Sequence, residues 1–196
     1  MAPHRTNEGR VFVISSPSGG GKTTVVKHLL HALPRVTRSV SVTTRARRRG
    51  ERHGRDYRFI SSAIFARMRR TGALLEWAEV HGACYGTPRR PVLDALARGR
   101  DVILNIDVQG ARQVRRRLGK RCVLIFLLPP SLQELQRRLI GRRTETRVQV
   151  RKRLRAATQE LASARWYDMH VVNDRVEHAV AQIRQRMMRD QGGHRR

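Results

Sequence analysis

The sequence predicts an α/β protein, a parallel sheet flanked by helices, on three observations. Short apolar runs alternate with helix-spaced segments along nearly the whole chain of 196 residues. The first run, VFVIS at Val11 to Ser15, passes directly into a glycine-rich turn and then into a helix. Two later runs, DVILNID at Asp101 to Asp107 with its apolar centre and CVLIFLL at Cys122 to Leu128, apolar throughout, read as buried strands. A sheet of this kind binds its ligand beyond the carboxyl ends of its strands.

Each element has its own signal. The first helix starts near Lys22, carries Val25, Val26, Leu29, Leu30 and Leu33 at helical spacing, and closes at Pro34. Ser39 to Thr43 alternates Ser and Val as a half-exposed strand does, and Tyr57, Phe59 and Ile60 suggest another. Ser61 or Ser62 caps a short helix through Met68 that ends near Gly72. LLEWAEV (Leu74 to Val80) reads as a strand, HGACYGTP as a turn-rich link, and Pro91 to Ala97 as a helix. The Asp101 to Asp107 strand ends in a carboxylate, and a helix follows from about Gln109 to Leu118. Pro129 and Pro130 break the Cys122 to Leu128 strand ahead of a helix from Ser131 to about Ile140. A long helix from about Val148 to Ala164, a short strand at His170 to Val172 and a helix from Val176 to about Met188 complete the chain. No internal repeat, low-complexity tract or linker interrupts it.

The turn after the first strand carries the chemistry. It comprises Ser16, Pro17, Ser18, Gly19, Gly20, Gly21, Lys22, Thr23 and Thr24. Strand, glycine loop, lysine, hydroxyl and helix form a phosphate cradle: backbone N–H groups and a helix N-terminus face an anion, and the lysine reaches the outer phosphates. Thr23 offers its hydroxyl to Mg²⁺. Small residues are needed because a side chain would hold the backbone away from phosphate oxygens. The usual pattern is G-x-x-x-x-G-K-[ST], and Ser16 stands at its first glycine. The loop predicts a nucleotide ligand.

Composition bounds the rest. The formal net charge is +27, and arginine outnumbers lysine, which occurs only at 22, 27, 120 and 152. Such a charge favours anionic ligands and permits nucleic acid. Few aromatics interleave the basic clusters, so a solvated arginine-rich surface is the favoured reading. Cys84 and Cys122 are too few for a disulfide framework and lack CxxC spacing. No apolar run approaches a membrane span and no secretory leader is visible, so a cytoplasmic protein without a membrane partner is expected. Its oligomeric state is left open.

In order and spacing, SPSGGGKTT (Ser16 to Thr24), SVSVTTR (Ser39 to Arg45), GRDYRF (Gly54 to Phe59) and LLEWAEVHGACYGTP (Leu74 to Pro88) match one family. IDVQG (Ile106 to Gly110), GRRTET (Gly141 to Thr146), KRL (Lys152 to Leu154) and VND (Val172 to Asp174) extend the match. The chain resembles guanylate kinase from about Arg10 to Met188. The resemblance implies a P-loop NTPase-type core sheet with a small GMP-binding lobe, about 41–88, and a mobile lid, about 138–153. One domain, 10–190, then lies between a tail at 1–9 and a basic tail at 191–196. The implied activity is transfer of the γ-phosphoryl of ATP to GMP, and to dGMP, giving ADP and GDP in purine nucleotide metabolism, with ATP and Mg²⁺ as cofactors. The alternative is a catalytically impaired guanylate-kinase-like scaffold that engages anionic partners.

The resemblance also assigns residues. Arg45, Arg48, Tyr57 and Tyr85 hold the GMP phosphate, a task suited to arginine forks and tyrosine hydroxyls. Glu76, Asp107, Ser41 and Thr87 surround guanine, whose N1–H and N2–H₂ donors need acceptors that adenine would leave unpaired. Ser16 to Thr24, Arg138 and Asn173 hold ATP, with Thr23 on the metal. Lys22, Arg45, Arg142 and Arg153 neutralise the moving phosphoryl, the last two from the lid. Some positions depart from the family. Ser16 replaces glycine, Asn105 replaces an acid and predicts weaker Mg²⁺ support, and Cys84 replaces a tyrosine. Arg143, Arg147 and Val148 add charge or bulk where the lid usually has glycine and acidic residues.

Overall fold

The computed structural model describes residues 8–80, 82–140 and 147–192. Along the chain come β1 (Val11–Ser15), α1 (Lys22–Ala32), β2 (Thr37–Arg38), β3 (Val42–Thr43), β4 (Arg58–Phe59) and α2 (Ser62–Arg70). Next are β5 (Leu74–Val80), β6 (Ala83–Pro88), α3 (Arg89–Ala97), β7 (Val102–Asn105) and α4 (Val108–Leu118). β8 (Cys122–Leu128), α5 (Leu132–Ile140), α6 (Arg147–Ala162), β9 (Met169–Val172) and α7 (Val176–Gly192) follow. A five-stranded sheet has the order β2-β7-β1-β8-β9, with β2–β7 and β8–β9 pairing parallel. A four-stranded sheet has the order β4-β3-β6-β5.

The chain packs as two units. One comprises Met1–Val11, Arg35–Leu104 and Gln109–Cys122, and the other Phe12–Pro34, Asn105–Val108 and Val123–Arg196. In the first, β5 and β6 pair antiparallel, with Glu76 opposite Thr87 and Ala78 opposite Tyr85. Val42, Phe65 and Leu74 form its small core, and Ile60, Met68, Trp77 and Cys84 pack against them. Ser61 caps α2 by accepting the Ile64 N–H at 3.3 Å. Gln113 of α4 clips the middle of β5: its Oε1 accepts the Trp77 N–H at 3.3 Å and its Nε2 donates to the Trp77 carbonyl at 2.6 Å.

In the second unit, β1 and most of β8 are buried, which is why their sequences carry no polar alternation. Phe126 meets Tyr167 edge-on at 4.9 Å between centroids. Asp168 accepts the Leu124 N–H at 2.7 Å, tying the approach to β9 onto β8. α1 buries Val25, Val26 and Leu29, and α7 buries Ala179, Ile183 and Met187. Leu135 and Leu139 of α5 pack with Ala157 and Leu154 of α6.

Several boundaries differ from the sequence expectation. HGACYGTP was expected to be a link, yet Ala83–Pro88 is strand β6. Its small residues suit a close cross-strand neighbour: a Cβ on Gly86 would stand 3.1 Å from the Glu76 carbonyl oxygen. The antiparallel β5–β6 hairpin belongs to the four-stranded sheet, which the sequence did not announce. β7 ends at Asn105, leaving Asp107 just beyond the strand rather than at its last position. Thr37–Arg38 forms a two-residue strand that has no periodicity long enough to read.

Phe126 is fully buried, so Phe126→Ala should lower unfolding free energy by about 3–5 kcal/mol. Chemical denaturation measures this directly, and a loss under 1 kcal/mol would contradict the assigned core.

Candidate nucleotide-binding sites

The glycine loop joins buried β1 to α1 in the second unit. Gly19 and Gly21 have φ of 89° and 88°, a left-handed backbone that side chains resist. Gly20 N–H donates to the Pro17 carbonyl at 2.9 Å, and the Gly21 carbonyl accepts from Thr24 and Val25 at 3.1 and 3.2 Å. Asn173, 3% exposed at the end of β9, donates its Nδ2 to the Gly20 carbonyl at 2.8 Å. A Cβ on Gly21 would lie 2.4 Å from that Nδ2, so the third glycine is sterically required. The Asn173 amide is thus engaged with the loop. The Asn173 backbone carbonyl accepts from Arg138 Nη2 at 3.3 Å, while Arg138 Nε donates to Glu134 at 2.8 Å.

Lys22 Nζ donates to the Ser16 carbonyl at 2.7 Å and to Ser16 Oγ at 3.0 Å. The serine at the first glycine position therefore gives the lysine a second oxygen, while its Oγ donates to the Pro17 carbonyl at 2.9 Å. Thr23 and Thr24 open α1 and are exposed. Among the described residues, no group of three or more His, Cys, Asp and Glu could hold a metal by itself. One hydroxyl beside phosphates nevertheless suits Mg²⁺, which keeps several waters and takes few protein ligands. Asp107 belongs to this unit: Ser15 Oγ donates to the Ile106 carbonyl at 2.9 Å, close to the Asp107 carbonyl at 3.5 Å. Asn105, in the same unit, ends β7.

The first unit gathers a different set. Glu76 on β5 is 3% exposed and accepts the Thr87 hydroxyl hydrogen bond at 2.6 Å, an outcome of the β5–β6 register. Arg45 Nε donates to Tyr85 Oη at 3.1 Å, and Arg45 Nη2 pairs with Glu51 at 2.7 Å. Its guanidinium also sits 5.7 Å from the Tyr57 ring centroid, and Tyr57 meets Tyr85 edge-on at 5.9 Å. Arg48 contributes its backbone N–H to Glu51 at 2.8 Å. Hydrogen bonding to Glu51 raises the Arg45 pKa against the effect of burial. Burial pushes Glu51 up, but hydrogen bonds from Arg45 and the Arg48 N–H outweigh it and hold the carboxyl below its ordinary value. Tyr57 is raised, first by burial and then by Tyr85. Ser41 lies just before β3, where its carbonyl accepts the Arg58 N–H at 2.9 Å. Cys84 packs against the small core, and Thr44 Oγ1 accepts its N–H at 2.9 Å.

Arg142 and Arg143 lie outside the described residues, and so do the side chains of Arg147, Val148 and Arg153 on α6. Sequence reasoning missed two acids. Glu51 is the single acid within six arginines between Arg45 and Arg55, which was its only signal. Glu160 of α6 accepts the Ser18 N–H at 3.2 Å, a contact across a separation that no local pattern displays.

The family model described as guanylate kinase matches residues 8–191. A guanylate kinase of Oleidesulfovibrio alaskensis is 48% identical over 180 residues, covering 92% of this chain and 87% of that protein. One from Geobacter sulfurreducens is 45% identical over 184 residues, covering 94% and 90%. The crystal structure of guanylate kinase from Anaplasma phagocytophilum superposes with a TM-score of 0.80 at 35% identity, covering 94% of this chain and 87% of that one.

Glu51→Gln removes the charge that orients Arg45 and should weaken binding of GMP about fivefold. Calorimetric titration measures it, with ADP affinity as the internal control. Equal weakening of both would mean that Glu51 only supports the fold.

Proposed function

The chain belongs to the guanylate kinase family, and from that premise we propose how its own residues divide the work. The enzyme uses ATP to phosphorylate GMP. What carries the division is the separate furnishing of the two units: a glycine loop with its lysine in one, a buried carboxylate and an arginine–tyrosine nest in the other.

On the donor side, the amides of the loop and the α1 N-terminus face the ATP phosphates, and Lys22 turns from Ser16 toward them. Thr23 would hold Mg²⁺ through its hydroxyl, and the ion would supply positive charge to the outer phosphates. Arg138 and Asn173 border the nucleotide, Asn173 chiefly by fixing the loop that holds it. Asn105 keeps an acceptor oxygen without a charge, so the metal receives less support than an acid would give.

On the acceptor side, Glu76 accepts from the guanine N1–H and N2–H₂ edge, with Thr87 holding one carboxylate oxygen and Ser41 completing the base contacts. Asp107, grouped with Glu76 by the family resemblance, accepts from the guanine donors. Adenine presents an acceptor where guanine presents N1–H, and a buried unpaired carboxylate is costly. Arg45, Arg48, Tyr57 and Tyr85 take the GMP phosphate, with Arg45 pre-oriented by Glu51. None of these groups requires a ribose 2′-hydroxyl, so dGMP is also a substrate. Arg142 and Arg153, with Arg45 and Lys22, neutralise the phosphoryl in transit, and closure of the 138–153 segment excludes water. The acceptor is already an oxyanion, so alignment and neutralisation replace a general base. The reaction belongs in the cytoplasm, in purine nucleotide metabolism. An impaired scaffold is not favoured, since Lys22, Thr23 and Asp107 all stand in the chain.

A coupled ADP-release assay with ATP, Mg²⁺ and GMP, AMP, CMP or UMP tests this reading. Turnover should occur with GMP and fall at least about 100-fold in Lys22→Ala. Comparable turnover with all four acceptors would contradict the assigned guanine site.

A further inference from the structure

Glu160 has no part in the reaction as described above, yet it touches the loop on which that reaction depends. Its carboxylate Oε2 accepts the Ser18 N–H at 3.2 Å. The contact is held from behind. Ala157, one turn earlier on α6, is fully buried with Leu135 and Leu139 of α5. A Cβ on Gly19 would lie 3.1 Å from Leu139 and 3.2 Å from Leu135, so the same helix pair packs closely under the loop. Burial raises the Glu160 pKa, with Lys22 and the Ser18 N–H opposing it and Asp107 adding to it. These neighbours place the carboxylate in the field of the phosphate-binding groups.

We propose that Glu160 is a resident counter-anion of the phosphate loop, which holds the Ser18 amide in the empty enzyme and limits by its charge how tightly the loop retains a nucleotide. The inference rests on the nucleotide role of the loop given above. A phosphate arriving beside Lys22 meets the Glu160 carboxylate, which the packing of Ala157 against α5 keeps beside the loop. Coulomb repulsion at such separations in a partly buried site lowers affinity severalfold. The benefit falls on the product: ADP carries the same phosphates against the same loop, and a loop with no opposing charge would keep it longer. Glu160 is therefore a positioning residue that tunes donor-side affinity, and it takes no proton from any substrate.

Two near-isosteric variants separate charge from shape. Glu160→Gln keeps an oxygen that can accept the Ser18 N–H but removes the charge, whereas Glu160→Asp keeps the charge. Calorimetric titration with ADP in the presence of EDTA gives a purely anionic probe without metal. Glu160→Gln should tighten ADP about fivefold at low ionic strength, and the gain should shrink as salt rises toward 0.5 M. GMP affinity should not change, and Glu160→Asp should not bind ADP more tightly than the wild type. Unchanged or weaker ADP binding by Glu160→Gln would overturn the proposal, as would a gain indifferent to salt. Failure of the wild type to bind ADP at all would instead overturn the donor role of the loop, and this inference with it.

Discussion

The donor half depends on one steric constraint, the approach of Asn173 to the glycine loop. Its amide lies where a Cβ of Gly21 would stand and donates to the Gly20 carbonyl. This contact occupies the Gly20 carbonyl, while the Gly21 carbonyl is taken by the Thr24 and Val25 N–H groups. It requires β9 to end at Val172, so that Asn173 emerges with its N–H on the Leu128 carbonyl at 2.8 Å. The β8–β9 pairing that aligns those residues is thus a condition for this loop geometry. Substitution at Gly21, Asn173 or the β9 register would disturb the same geometry.

The acceptor half depends on sheet register instead. Glu76 and Thr87 meet because β5 and β6 pair with Glu76 opposite Thr87, and Gln113 fixes β5 at the next residue. The Thr87 hydroxyl hydrogen bond gives the buried Glu76 carboxylate a defined orientation. The phosphate end is built differently, by charge held in place: Glu51 and Tyr85 give Arg45 an orientation that a solvated arginine lacks. In a chain of net charge +27, position rather than abundance distinguishes this arginine.

The strand, loop and helix at the donor site were readable because their signals are local. Buried β8 is apolar throughout and β1 is apolar up to Ser15, and the glycines sit where close approach needs them. β6 was not readable, since ACYGTP is made of small and turn-forming residues and becomes a strand only through pairing with β5. Asp107 was read with the guanine contacts by resemblance alone, because its local sequence carries no ligand signal of its own. Glu160 lies 142 residues from Ser18, so only the folded α5–α6 pair reveals its target. Glu51 was visible as an isolated acid among arginines, but its orienting role required the geometry of Arg45.

Base selection by the buried Glu76 carboxylate is the central claim, and the ratio of kcat/KM for GMP to that for IMP tests it most directly. IMP keeps the N1–H of guanine and lacks only the 2-amino group. The wild type should prefer GMP strongly, by about 100-fold or more, because IMP lacks one of the two donors that guanine offers the carboxylate. Glu76→Gln should reduce that preference to within about tenfold, while the KM for ATP stays unchanged. A preference that survives in Glu76→Gln, or a parallel rise in the KM for ATP, would contradict the account.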